Sequence, residues 1–110
     1  MSASSTISVA RVPTRSASRY LQQLAKHWSH KMEVIFSEEE GRITFPNGAI
    51  VEMHADTDAL DVALTVPAGE DVDRMRRVVA SHLDRFAFRE APLTFDWAVG
   101  ALSTNTAGLA

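Results

Sequence analysis

The chain has 110 residues, 45% apolar, 23% charged and 7% aromatic, with a formal net charge of -3. That is the composition of one ordinary soluble globular domain, and it excludes a fibre, a disordered tail or a pair of domains. Cysteine is absent, which removes disulfides, thiolate catalysis, zinc ribbons and iron–sulfur clusters together and leaves histidine, carboxylate and hydroxyl chemistry. No run approaches the roughly 18 apolar residues of a membrane span, and the start lacks the apolar core of a secretory signal.

The charge is unevenly spread. Residues 1–32 carry Arg11, Arg15, Arg19, Lys26 and Lys31 and no acid, whereas the rest of the chain holds all 14 acids against six bases. A Ser-rich, acid-free start is the composition of an organellar transit peptide. The bulky apolar stripe Tyr20, Leu21, Leu24 and Trp28 argues instead for a basic helix that packs on a core within the same fold.

Residues 1–6 are small and polar and read as a flexible N-terminus, followed by one domain over residues 7–99. Ile7 to Val12 alternates as a short strand, which Pro13 ends. Ser16 or Ser18 can cap a helix from Ala17 to about Ser29, since Ala17, Tyr20, Leu21, Leu24 and Trp28 keep the three-and-four spacing of one buried face. From Met32 to Phe36 the period becomes two, with Met32, Val34 and Phe36 on one side and Glu33 and Ile35 on the other.

Ser37 to Gly41 reads as an acidic turn. Arg42–Phe45 and Ala49–Ala55 then flank Pro46, Asn47 and Gly48, and the Asn-Gly pair marks the clearest hairpin because it tolerates positive φ. A turn at Asp56–Asp58 leads to a strand over Ala59–Val66, closed by Pro67. Glu70, Asp71 and Asp73 open a second helix, where negative charge suits the unpaired N–H groups; the pairs Glu70–Arg74 and Asp73–Arg77 add i,i+4 support. Its stripe is Val72, Met75, Val79, Leu83 and Phe86. Leu93, Phe95 and Trp97 alternate as a last short strand or a cap over the core, and residues 100–110 read as a disordered tail. The expected class is α+β, in the order strand, helix, four strands, helix: a curved antiparallel sheet with two helices packed on one face, of helix-grip or TATA-binding-protein-like shape.

Four groups of residues carry possible chemistry. In Lys26-His27-Trp28-Ser29-His30-Lys31, two histidines three apart on a helix project from neighbouring positions and have the spacing of a metal pair, although the flanking lysines repel a cation. His82 adjoins the stripe of the second helix, which predicts a partly buried, hydrogen-bonded imidazole. Glu52 and His54 point the same way on one strand, and Asp61 faces them from its neighbour; such a cluster either binds an ion or is the wet side of a half-covered sheet, and the second reading is preferred. Ile35 and Ile50 share that face, where an apolar patch favours a partner or dimer surface. Arg85 and Arg89, four apart, have the spacing of a fork for a carboxylate or other anion, assisted by Lys31 or His27.

No Gly-x-Ser-x-Gly elbow, Gly-rich phosphate loop or EF-hand spacing occurs, so no cofactor is indicated. Nucleic acid is disfavoured because the sheet carries Glu52 and Asp61 where a phosphate-tracking surface needs Arg and Lys.

Tyr20 to Lys31, with its helical His-Trp-x-His-Lys segment, the Gly-Arg-Ile strand start at Gly41–Ile43 and the stretch His82 to Glu90 with Arg-Phe-x-Phe-Arg-Glu together resemble the bacterial family called domain of unknown function 2218, over roughly Ile7 to Trp97. The resemblance implies a small bacterial domain without an assigned activity; the expected location is cytoplasmic, since the absence of cysteine allows a reducing compartment. Some family members are linked with siderophore-interacting proteins, which implies a role near iron uptake.

The combined expectation is a non-enzymatic domain that binds a small anionic ligand or a protein partner through His27, Lys31, His82, Arg85 and Arg89. The alternatives are a metal-binding protein or metal-dependent enzyme using His27 and His30, and a homodimer.

Overall fold

The computed structural model describes residues 5–99 and consists of β1 (Thr6–Pro13), α1 (Ala17–Trp28), β2 (Glu33–Phe36), β3 (Glu40–Thr44), β4 (Ile50–Ala55), β5 (Ala59–Val66), α2 (Val72–Phe86) and β6 (Ala98–Val99). The strands form one antiparallel sheet in the order β2-β3-β4-β5-β1-β6. This is the expected α+β arrangement of two helices on an antiparallel sheet. The tail expected over residues 100–110, like residues 1–4 of the expected flexible start, lies outside the described residues; Thr6 belongs to β1, opposite Val66.

Alternation along the strands sorts side chains to two faces. Val12, Ile43, Val51, Met53, Leu60, Val62, Leu64 and Val66 point inward and are buried under the helices. α1 presents Ala17, Tyr20, Leu21, Leu24, Ala25 and Trp28 to them and lies across β2 to β5, while α2 packs against β5 and α1 through Met75, Val79 and Leu83. Leu21 comes so close to the sheet that a Cβ on Gly41 would lie 3.2 Å from its side chain, so the Gly-Arg-Ile start of β3 lets α1 settle on the strand. Gly48 has φ +93° in the Asn-Gly turn that joins β3 to β4, as its sequence predicts.

Several local expectations change. Ser16 stands at the N-cap of α1 but its hydroxyl makes no capping bond. Thr14 Oγ1 accepts from the Ser16 N–H instead, and Ser18 donates to the Glu38 carbonyl, so neither serine caps through its side chain. The acidic turn is shorter than expected, because Glu40 and Gly41 are claimed by β3, opposite His54 and Met53. On α2, Asp71 is the N-cap and accepts from the Arg74 N–H. The expected i,i+4 pairs give way to other partners: Glu70 accepts from Asn47, distant in sequence, and Asp73 lies 3.6 Å from Arg76, three residues on.

After α2 the chain has no strand until β6, and Leu93, Phe95 and Trp97 act as a cap: Leu93 is buried, and the other two pack partly buried on the core with their rings stacked, centroids 5.5 Å apart. Two polar ties hold this strap. The Glu90 carboxylate accepts from the Thr14 hydroxyl at 3.0 Å and from the Tyr20 hydroxyl. Arg76 donates twice to the fully buried Ser8 hydroxyl, at 2.9 and 3.0 Å, and its guanidinium lies 5.9 Å from the centroid of the Trp97 ring. Hydrogen bonds to a charged acceptor contribute roughly 1.5–3 kcal/mol, and an orphaned buried hydroxyl costs more than a lost contact. Glu90→Ala is therefore expected to destabilise the domain by about 2 kcal/mol in urea unfolding, with Tyr20→Phe largely non-additive with it; a Glu90→Ala midpoint equal to wild type would remove this tie from the account.

Candidate functional site

The end of α1, the middle of α2 and the β3–β4 hairpin converge on one aromatic cluster. Trp28 packs edge-on to Phe45, with centroids 5.0 Å apart, and against His82 at 4.9 Å. His27 lies 5.7 Å from both His82 and Phe86. The reason is periodicity: Trp28 occupies the last buried position of the α1 stripe, His27 sits at the margin one residue earlier, and His82 precedes the buried Leu83 on α2. Two histidines 55 residues apart in sequence thus share the helix–helix seam.

His82 Nδ1 is 2.7 Å from the Val78 carbonyl. In the neutral ring that nitrogen carries the proton and donates, leaving Nε2 as an acceptor. His27 titrates below its ordinary range, first because partial burial disfavours the charged form and then because His82, Lys31, Arg85 and His30 add positive potential. Lys31 belongs to the turn after α1 and Arg85 to the last turn of α2, and both are exposed. His30 lies past the end of α1 and is exposed.

The expected fork does not form on a helix. α2 ends at Phe86, and Ala87 at the C-cap leaves helical geometry with φ -98° and ψ 38°, so Arg89 does not stand one turn above Arg85. Its guanidinium covers the exposed Phe88 ring, 5.8 Å from the centroid. The structure thus sets His27 beside His82 and Phe86, leaves Lys31 and Arg85 exposed, and holds Arg89 on a different neighbour. Among the described residues no group of three or more His, Asp or Glu side chains is arranged to hold a metal ion. Sequence reading missed Phe86 as the partner of His27 and Phe45 as the partner of Trp28; the extension of the α2 stripe and the hairpin register were the available signals.

The opposite face of the sheet is uncovered. Arg11, Asp61, His54 and Glu40 stand side by side across β1, β5, β4 and β3. Arg11 bridges Asp56 at 2.9 Å and Asp61 at 3.0 Å, and His54 Nδ1 lies 3.6 Å from Glu40. Asp56 is held below its ordinary value by the backbone N–H groups of Asp58 and Ala59 and then by Arg11. Glu52, His54 and Asp61 do share one face, as expected, and they border a concavity of about 590 Å³ that also includes Val9, Ala63 and Ala98.

These features define a small α+β domain with a basic, aromatic helix seam on one side and a bare sheet on the other. The chain belongs to the family described as uncharacterized proteins conserved in bacteria (DUF2218), whose model matches residues 9–98. It is similar to the protein in the NMR structure of PA4090 from Pseudomonas aeruginosa, with 34% identity, a TM-score of 0.62, and coverage of 94% of this chain and 100% of that one. No curated protein matches the chain. Among the described residues no helix is long and apolar enough to cross a membrane.

The depressed His27 fixes a pH dependence. The unfolded chain takes up this proton at about pH 6.5, before the folded one does. The neutral ring's contribution is therefore complete above that value and is lost as pH falls through it toward the lower folded value. His27→Gln is expected to reduce the drop in melting temperature between about pH 7.5 and pH 5.5 relative to wild type; an unchanged drop would mean that His27 is not the group responsible.

Proposed function

We propose that the domain is a non-enzymatic binding module that takes a small anion, of the polycarboxylate kind, at the seam of its two helices. The observation that supports this reading is the pairing of His27 with His82 at the helix seam, ring centroids 5.7 Å apart, where Lys31 and Arg85 add positive potential. Arg85 supplies a planar fork for a carboxylate, Lys31 a point charge, and the imidazoles become donors once protonated. Low-dielectric aromatic walls from Phe86 and Trp28 strengthen these charge-assisted bonds. The same positive potential that depresses His27 works against a cation, so a metal held by His27 and His30 is the weaker reading. A role accessory to iron or siderophore metabolism fits a carboxylate ligand, because carboxylate-rich chelators carry the required groups.

Citrate is the direct probe. Calorimetric titration is expected to show that lowering the pH from about 7.5 to 5.5 favours binding more in wild type than in His27→Gln, because the bound anion stabilises the protonated His27 ring while protonation of citrate itself is common to both. Arg85→Ala and Lys31→Ala should each weaken it about tenfold, while Arg89→Ala should leave it unchanged. Citrate affinity indifferent to both Arg85→Ala and Lys31→Ala would end the proposal.

A second reading, a homodimer, has its own observation. Edge strand β2 exposes Ile35 at 69% and Phe36 at 36% of their surfaces, and a short edge with apolar side chains is where a second copy can add its own β2. Light scattering at high concentration should then give twice the 12.1 kDa mass, reverting to one copy on Ile35→Lys. A single-copy mass at every concentration excludes this reading.

A further inference from the structure

On the bare sheet face, register aligns one row of side chains into a groove. Ala98 of β6 opposes Val9 of β1, Val9 opposes Ala63 of β5, and Ala63 opposes Glu52 of β4. Directly opposed residues in antiparallel strands point the same way, so these four form one line across four strands. Its middle, Val9 and Ala63, is apolar, and Ala63 keeps the surface low where a large β-branched residue of a typical strand would fill it. Three interstrand steps make the line about 14 Å long.

Carboxylates stand at both ends, Glu52 at one and Asp96, two residues before Ala98, at the other, and all of these residues line the same concavity. Arg11, His54 and Asp61 also line the concavity; Arg11 is engaged by Asp56 and Asp61, and His54 lies beside Glu40. Arg42 opposes Glu52 from the outer side, and among the described residues no ion pair joins them. The groove thus combines an apolar floor with negative ends.

We infer that this groove binds a linear aliphatic diamine or polyamine, its methylenes over Val9 and Ala63 and its terminal ammonium groups at Glu52 and Asp96. The charge complementarity selects a cation, the two-ended placement selects one with charges at both termini, and the apolar floor of Val9 and Ala63 suits an unbranched chain. A citrate-type anion is repelled here, so this site is separate from the helix seam and stands or falls independently of it.

The test uses 1,8-diaminooctane, spermidine and octylamine as probes, followed by the backbone amide shifts of Val9, Glu52 and Ala63 in nitrogen-15 spectra of the full chain. Tethering the second ammonium to the first makes its binding intramolecular, so 1,8-diaminooctane is expected to bind about tenfold or more tightly than octylamine. Glu52→Gln and Asp96→Asn should each abolish that advantage, bringing the diamine to the level of octylamine. Ala63→Leu, which fills the floor without altering charge, should weaken both. The same spectra report whether each variant is folded. Spermidine shifts spread over the acidic turns at Glu38–Glu39 and Glu70–Asp73, with no response to Glu52→Gln and Asp96→Asn, would show non-specific attraction to an acidic protein and overturn the assignment. Equal affinity for the diamine and octylamine would overturn it as well.

Discussion

Everything in this molecule follows from the parity of its strands. The inward positions of β1, β3, β4 and β5 carry Val12, Ile43, Val51, Met53, Leu60, Val62, Leu64 and Val66, and a slip of one residue in any strand would exchange them for Arg11, Arg42, Glu52, His54 or Asp61. Such a slip is prohibitive, since burying charged side chains without partners costs several kcal/mol each. The apolar row therefore fixes the register, and the register places every charged group on the outer face. What looks like a functional arrangement on that face begins as a by-product of burying the other one.

The same constraint explains how much was legible in the sequence. Alternation over Ala59–Val66 and Met32–Phe36, the Asn-Gly turn and the two helical stripes are local signals, and the elements form where those signals lie. The sharing of one face by Glu52, His54 and Asp61 was also readable, because side-chain parity within a strand needs no tertiary knowledge. Order within the sheet was not: β1 pairs with β5 across more than 40 residues of sequence, and that pairing is what sets Val9 beside Ala63 and Arg11 beside Asp61. The helical fork failed for a different reason. Arg85 and Arg89 have helical spacing, but Ala87 leaves the helix and the following turn bonds Glu90 N–H to the Ala87 carbonyl and Leu93 N–H to Asp84. Tertiary demand for Leu93 and Glu90 as strap anchors overrode the local pattern.

The seam histidines show packing and chemistry drawn from the same residues. Trp28 is needed as the last buried position of α1, and its ring spans Phe45 and His82. His27 is carried to the edge of the same contact by helical geometry alone. Once there, its charged form is disfavoured first by partial burial and then by the positive potential of His82, Lys31, Arg85 and His30. The uneven charge of the sequence thus becomes an uneven potential in the fold: the bases of α1 sit over the helix layer, while most acids lie in strands, turns and the start of α2.

That separation lets the two sides act independently. Screening reduces interactions between exposed charges to little beyond a Debye length of about 8 Å at physiological salt. A pleated layer with a helix packed on it puts the outer groove and the helix seam on opposite sides of about 10 Å of low-polarity core. The field at Glu52 and Asp96 is then set by the sheet face itself, and the field at His27 by Lys31, Arg85 and the two other imidazoles. A domain of net charge -3 can in this way keep a basic helix edge and a carboxylate-bearing sheet face at once, because the core that stabilises the fold also insulates one potential from the other.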